Sequence, residues 1–274
     1  MNRMDTQYRL TPEQKQQFEQ DGFVIVKGLF GADEIERLKA NFMEMHAGGP
    51  IAGCFEPVPV EQAGGDILKA YPRMMHPHRV NRMAFEYMLD ARVMSVLAEL
   101  FGEEPLAAQS MFYFKPPGAR GQALHQDNFY LKIEPGTCIA AWTAVDPADE
   151  ENGGMFVARG SHREPIYCPQ QADPAVSFTK DYVELPAGME LVQARMEAGD
   201  VLFFNGSVIH GSQPNTSRDR FRRSFICHYA GVSTTRAGRF YSPMYRADGT
   251  AVTIEDNPDG GPCGAEHEKQ HGPH

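Results

Sequence analysis

The chain contains no apolar stretch approaching the ~18 uncharged residues that a membrane-crossing helix needs. Its first residues, Met1–Leu10, are too polar to read as a secretory signal. Cysteine is scarce, with five in 274 residues and no CxxC spacing. An odd count without paired spacing argues against a disulfide scaffold and leads us to expect reduced thiols in a cytoplasmic protein. Positive charge is also short: 26 Lys and Arg stand against 36 Asp and Glu, a formal net charge of −10. Coating of nucleic acid or of an anionic membrane needs the opposite surplus, so neither partner is expected. What the chain does have is the balance of a globular protein with a real core, 42% hydrophobic and 23% charged. There is no internal repeat and no linker, so we expect one domain over residues 1–274.

Helix signals come first. Thr11-Pro12-Glu13-Gln14 reads as a capping box with Pro at the first helical position, and Gly22 ends that helix. Phe23-Val24-Ile25-Val26 reads as a short buried strand. Ile35, Leu38 and Phe42 then mark a second, amphipathic helix over 33–45, and a third is expected from Phe85 to Phe101. Residues 48–66, rich in Gly, Pro and Ala, read as a long loop. From Leu106 the pattern changes to short β-type runs: Ser110–Phe114, Leu124–Ile133, Cys138–Val145, Met155–Ala158, Val201–Phe204, Ser207–Ile209 and Phe221–Tyr229. Helices over about 11–101 followed by strands over about 106–245 predict a mainly β protein. The expected form is an antiparallel double-sheet barrel with flanking helices and an irregular tail over 255–274.

The most informative segment is Leu124-His125-Gln126-Asp127-Asn128-Phe129. On a strand, His125 and Asp127 would share one face. His210, after an apolar strand and before Gly211, supplies a second imidazole. Two histidines and one carboxylate on one side of a metal leave open positions, the facial geometry of non-haem Fe(II) oxygenases. Phe221-Arg222-Arg223-Ser224 puts a basic residue on a strand that reads as buried, and a buried guanidinium needs an anionic partner, best a carboxylate. Arg222 and Ser224 share a face and could grip one carboxylate between them.

With these residues in place the chain resembles the phytanoyl-CoA dioxygenase family of Fe(II)/2-oxoglutarate oxygenases. The resemblance runs from Leu10 to Tyr229. It is carried by Leu10-Thr11-Pro12-Glu13, Asp21-Gly22-Phe23-Val24, Lys115-Pro116-Pro117, His125-Gln126-Asp127 and Ala141-Trp142-Thr143-Ala144, and continues in Asn152-Gly153-Gly154, Gly160-Ser161-His162, Gly199-Asp200-Val201-Leu202-Phe203-Phe204 and His210-Gly211-Ser212. It implies a double-stranded β-helix, iron ligation by His125, Asp127 and His210, and 2-oxoglutarate contacts from Met111, Gln126, Trp142, Ser212 and Arg222. The implied reaction consumes dioxygen, decarboxylates 2-oxoglutarate to succinate, and hydroxylates or otherwise oxidises an unactivated C–H bond of a small molecule. The segment between His210 and the arginine is one residue longer than in the phytanoyl enzyme, which leaves Arg223 or Arg220 as an alternative clamp. The proline that often precedes Gly160-Ser161-His162 is absent, Ala158-Arg159 standing there.

Three rival readings are weighed. A halogenase of the same family replaces the ligand carboxylate with a small residue, and Asp127 is intact. A silent metal-binding barrel has no use for a keto-acid clamp. An acyl-CoA hydroxylase would want a basic surface for phosphates, and only the patch around Arg73, His76, His78, Arg79 and Arg82 offers one. That patch is either a solvated loop or a substrate contact, with Arg73, His76, Tyr113 and Asn128 the candidates for the pocket mouth. His267-Glu268-Lys269-Gln270-His271 matches the HExxH pattern of zinc proteases, but it lies between glycines without an apolar face or a downstream ligand, so we expect no protease.

Overall fold

The computed structural model describes residues 8–258, so the HExxH segment lies outside the described residues. The helices are α1 (Pro12–Asp21), α2 (Ala32–Ala47), α3 (Arg82–Met88), α4 (Ala91–Phe101) and the one-turn α5 (Asn128–Leu131). The strands that position the site are β1 (Phe23–Val26), β2 (Met74–Met75), β3 (Pro105–Tyr113), β4 (Gln122–His125), β5 (Ile139–Ala144), β6 (Met155–Ala158), β7 (Gln170–Gln171), β8 (Asp181–Tyr182), β9 (Leu191–Ala194), β10 (Val201–Asn205), β11 (His210–Ser212) and β12 (Ser224–Gly231). β7 and β8 pair with each other; the rest form a large sheet in which β1, β10, β5, β12 and β3 are successive neighbours, with β2 beside β3, and a small sheet in the order β4-β11-β6-β9. This is the double-stranded β-helix, or jelly roll, with the helices packed outside it.

The local signals act as chemistry requires. Thr11 Oγ1 accepts from the Gln14 amide at 3.2 Å and Gln14 Oε1 accepts from the Thr11 amide at 2.9 Å, so the capping box forms. Gly22 ends α1 at φ 82°, and a Cβ there would lie 2.5 Å from the His162 ring. Two sequence blocks 140 residues apart are therefore pressed together at a point where only glycine fits.

Strand alternation splits the large sheet into two cores. On its outer face Phe112, Phe225 and Tyr229 meet Leu38 and Phe42 of α2 and Val96 and Leu97 of α4. Phe42 stacks on Phe112 with ring centroids 3.9 Å apart. Removing that ring by Phe42→Ala would cost roughly 3–5 kcal/mol. On the inner face Met111, Trp142, Leu202, Phe204 and Ile226 meet Val157 of the small sheet and Val208.

Several elements differ from the sequence expectation. The helix expected over 85–101 is two helices, because Asp90 starts its own: its carboxylate accepts from the Arg92 amide at 2.9 Å. The strand expected over 124–133 stops at His125, where the chain turns into α5. The strand expected at 207–209 lies further on, at His210–Ser212. At the C-terminal end, Glu255–Asp256 pairs in parallel with Arg236–Ala237 where an irregular tail was expected. Cys54, Cys138 and Cys227 are buried free thiols, but Cys168 is disulfide-bonded, which corrects the expectation that every cysteine is reduced. Among the described residues no helix is long and apolar enough to cross a membrane.

Candidate active site

The two histidines are brought together by sheet register. His210 of β11 pairs directly with His125 of β4, and the ring centroids are 4.2 Å apart. Each ring is fixed by its own strand: His125 Nδ1 lies 2.8 Å from the Ala123 carbonyl and His210 Nδ1 lies 3.0 Å from the Val208 carbonyl. A carbonyl can only accept, so both Nδ1 atoms carry the proton and both Nε2 atoms present a lone pair, that of His125 lying 3.1 Å from the Gln122 amide nitrogen. Both Nε2 atoms lie 3.5 Å from Asp127 Oδ1. One nitrogen from each histidine and one carboxylate oxygen fall within 4.8 Å of one another, a buried set of donors on one side of a common point. That chemistry fits a divalent iron with open positions, as the sequence pattern indicated.

Asp127 reaches this point by a different route from the one expected. It does not continue β4; its φ of −63° and ψ of −36° place it at the helical entry to α5. Its second oxygen, Oδ2, lies 2.9 Å from Nε2 of His228, which is 1% exposed. Burial would raise the Asp127 carboxyl, but His210, His228 and His125 outweigh it and hold the group well below the usual carboxylate range. Burial acts in the opposite sense on His210, pushing its imidazole down to about 4 against the pull of Asp127. Asp127 is thus ionised and His210 neutral at pH 7, the states in which both can bind a cation.

The cavity over the triad is walled by the inner row of the large sheet. Met111, Ile226, Trp142 and Leu202 stand side by side across β3, β12, β5 and β10, and the first three line the cavity, with Tyr113, Ser212 and Arg222 beyond them. Arg222 lies just before β12. It is 3% exposed, donates from Nη1 to Ser224 Oγ at 2.9 Å and from Nε to the Gly153 carbonyl at 3.2 Å, and lies 5.2 Å from the centroid of the Trp142 ring. Burial pushes it down to about 10. The alternatives for the clamp are committed elsewhere: Arg223 is paired with Asp146 at 2.7 Å, and Arg220 with Asp149 at 2.7 Å.

Not every expected residue faces the cavity. Gln126 is turned away by the bend after His125. Its amide donates to the Ser207 carbonyl at 2.8 Å and to the Pro165 carbonyl at 3.1 Å, and its oxygen accepts from the Tyr167 amide at 2.8 Å, so it ties loops together and does not line the cavity. Ser224 is fully buried and holds Arg222 from behind. Asn128 is also corrected: its Oδ1 accepts from the Ile133 amide at 3.0 Å and closes the α5 turn. His76 is 5% exposed and packed beside His78 and Tyr241, so it cannot reach a mouth. Arg73 remains beside the cavity, its Nη1 3.2 Å from Tyr113 Oη. Of the basic patch, Arg82 is taken by Glu86 and Arg79 by the Phe240 carbonyl.

Sequence reasoning missed two residues. His228 was signalled, because the alternation that pairs Arg222 with Ser224 continues to Ile226 and His228. Lys115 stands in the Lys115-Pro116-Pro117 block that carries the resemblance, but that block gave it no role in the site.

Comparison with known proteins agrees with this geometry. The family description phytanoyl-CoA dioxygenase (PhyH) matches residues 18–224. The chain belongs to the phytanoyl-CoA dioxygenase family. It is an Fe(II)/2-oxoglutarate-dependent dioxygenase, with iron as its metal and 2-oxoglutarate and dioxygen as co-substrates. Among its relatives is the peroxisomal phytanoyl-CoA dioxygenase of Rattus norvegicus, 26% identical over 231 residues that span 80% of this chain and 68% of that one. Phytanoyl-CoA dioxygenase domain-containing protein 1 of Bos taurus is 26% identical over 277 residues, covering 85% and 93%. In fold it is similar to the epimerase SnoN, solved with Fe3+, alpha ketoglutarate and nogalamycin RO, at a TM-score of 0.65 and 22% identity over 81% of this chain and 84% of that one. The carbocyclase SnoK is similar to the same degree, with a TM-score of 0.64 and 21% identity over 83% and 86%.

Proposed function

We propose that His125, Asp127 and His210 hold the iron, that Arg222 and Ser212 hold the far carboxylate of 2-oxoglutarate, and that one domain carries out the whole reaction. Its outcome is hydroxylation of an unactivated C–H bond of a small molecule. The observation that carries this is a pairing within one cavity: a triad of donors with an intact carboxylate, and a buried arginine with no acidic partner among the described residues. Asp127 weighs against a halogenase, and Arg222 against a barrel that only binds metal.

Bound iron(II) supplies activation of dioxygen, coupled to decarboxylation of 2-oxoglutarate to succinate. The chain supplies position and dryness. Arg222 is pre-aimed by Ser224, the Gly153 carbonyl and the Trp142 face, so a carboxylate meets a guanidinium that is already ordered. Ser212 Oγ receives N–H groups from Lys115 and Gln122, which leaves its own hydrogen to donate into the cavity. Met111, Trp142, Met155, Phe204 and Ile226 keep water from the reacting centre.

With Arg82 paired to Glu86 and Arg79 bound to the Phe240 carbonyl, little of the basic patch is left for the phosphates of an acyl-CoA, which favours a compact substrate. Arg73 and Tyr113 are the cavity's polar contacts on the mouth side. The net charge of −10 supports the absence of a nucleic-acid partner. The test is succinate release under air by iron-loaded protein across a panel of metabolites. Stimulation by a compact metabolite is the expected result. Stimulation by acyl-CoA esters alone overturns the substrate class, and no succinate with any compound, or without one, overturns the enzyme reading.

A further inference from the structure

Lys115 is a buried cation beside another buried cation. Its side chain is 3% exposed, and its Nζ donates to Ser212 Oγ at 2.8 Å. Among the described residues neither Lys115 nor Arg222 forms an ion pair. The acids nearby, Asp146 and Asp149, are bound to Arg223 and Arg220. Burying one ammonium without a counter-charge is costly, and setting a guanidinium next to it compounds the cost. Burial first, and the Arg222 charge second, hold the Lys115 amine well below its ordinary range.

The surroundings are shaped for this arrangement. A Cβ on Gly153 would lie 2.6 Å from Lys115 Cε, and the Gly153 carbonyl accepts from Arg222, so one glycine makes room for one cation and holds the other. The Lys115 carbonyl accepts from the Arg222 amide at 3.1 Å and from Asn215 Nδ2 at 3.0 Å. Lys115 itself has φ 38°, a left-handed conformation that a non-glycine residue keeps only where its neighbours impose it. These contacts fix the Lys115 backbone and leave room for its side chain, whose Nζ meets Ser212 Oγ at the cavity wall.

We propose that Lys115 is a second cationic anchor of the 2-oxoglutarate site, a positioning residue that acts on the far carboxylate through Ser212 Oγ. An N–H from Lys115 occupies a Ser212 lone pair, orients the hydroxyl hydrogen toward the cavity and strengthens it as a donor. The missing counter-charge of both cations is then the carboxylate of the co-substrate. This rests on the assignment of Arg222 and Ser212 made above.

The test compares two keto acids on iron(II)-loaded protein without oxygen: 2-oxoglutarate, and 2-oxopentanoate, which keeps the chelating end and lacks the far carboxylate. Lys115→Met should weaken 2-oxoglutarate about tenfold, the scale of one charge-assisted hydrogen bond. It should leave 2-oxopentanoate and the metal affinity within about twofold of wild type. Adding Lys115→Met to Ser212→Ala should cost little more than Ser212→Ala alone, because Lys115 acts through that hydroxyl. Lys115→Gln keeps a donor for Ser212, and it should show the same selective loss in smaller measure if the methionine variant does not fold. Unchanged 2-oxoglutarate binding, or equal weakening of both acids, overturns the role of Lys115. If Arg222→Ala also fails to distinguish the two acids, the carboxylate site itself has been misplaced.

Discussion

Nε2 of His228 lies 2.9 Å from Oδ2 of Asp127, on the side of the carboxylate away from the two ligand histidines, while Oδ1 faces both of their Nε2 atoms. A carboxylate held this way offers a metal one oxygen, because the other is already a hydrogen-bond acceptor. Such partners behind a ligand typically account for 10–100-fold in metal affinity. His228→Phe should therefore weaken iron by about that factor, and His228→Gln, which keeps a donor, by less. Chelator competition on the folded variants checks this; equal effects of Phe and Gln would mean that His228 matters only as packing.

The ligands themselves give a harsher result. His125→Ala or His210→Ala should abolish turnover and iron binding while leaving the β-helix folded, since an open catalytic site is not the main source of folding energy. Circular dichroism together with iron content decides it, and either variant retaining full iron would remove that histidine from the triad.

For the co-substrate, Arg222→Ala should weaken 2-oxoglutarate on the order of 10²-fold, from ~2–3 kcal/mol of lost charge-assisted bonding. Arg223→Ala is the control. It breaks the partly buried pair with Asp146, so it should lower the melting temperature and leave co-substrate affinity near wild type. Titrations with 2-oxoglutarate would reveal an exchange of these roles.

In the proposed triad Asp127 also sets the outcome of the reaction. Its carboxylate occupies the place that a halide would need, so wild-type protein in saturating chloride should yield an oxygenated product and no chlorinated one. Asp127→Gly should lose hydroxylation whether or not it admits chloride. A chlorine isotope pattern in the wild-type product, read by mass spectrometry, would refute this.

Acid should destabilise the protein through two buried histidines. His76 and His78 are buried neutral, each pushed from 6.5 down to about 3, chiefly by burial. The unfolded chain binds more protons than the native one between those values. Stability is therefore fully present above pH 6.5 and falls as pH is lowered toward 3, by up to about 1.4 kcal/mol per pH unit for each ring. His78→Asn, which can still reach Ser110, should flatten the melting-temperature profile between pH 6.5 and 4.5. An unchanged slope would assign the acid sensitivity to other groups.

The triad was legible because its residue types are rare in combination, but the reason given for its geometry was only partly right. Alternation along a strand predicts that His125 and Asp127 share a face. In fact the strand ends at His125 and a helical turn carries Asp127 to the metal point, which also swings Gln126 outward. Arg222 was legible as a buried basic residue from its apolar neighbours, and Arg223 and Arg220, the alternatives left by the extra residue after His210, are paired with acids. The break at Asp90 was missed because an apolar stripe can run through a helix boundary when the cap residue lies on the polar side. Lys115 was not legible as a site residue. Its significance comes from Ser212, 97 positions away, and such a contact leaves no local pattern.

The direct pairing of His125 with His210 has a consequence for how this enzyme can change. The distance between the two imidazoles is set by the hydrogen-bonded ladder of adjacent strands, not by the chain that connects them. Residues 126–209 pass between the two sheets, giving β5 and β10 to the large one and β6 and β9 to the small one, yet the length of the loops between these strands is invisible to the metal. Loops in that interval, including the stretch around β7 and β8, are free to lengthen, shorten or exchange side chains while the donors stay in register. New substrates can be accommodated there without rebuilding the centre that oxidises them.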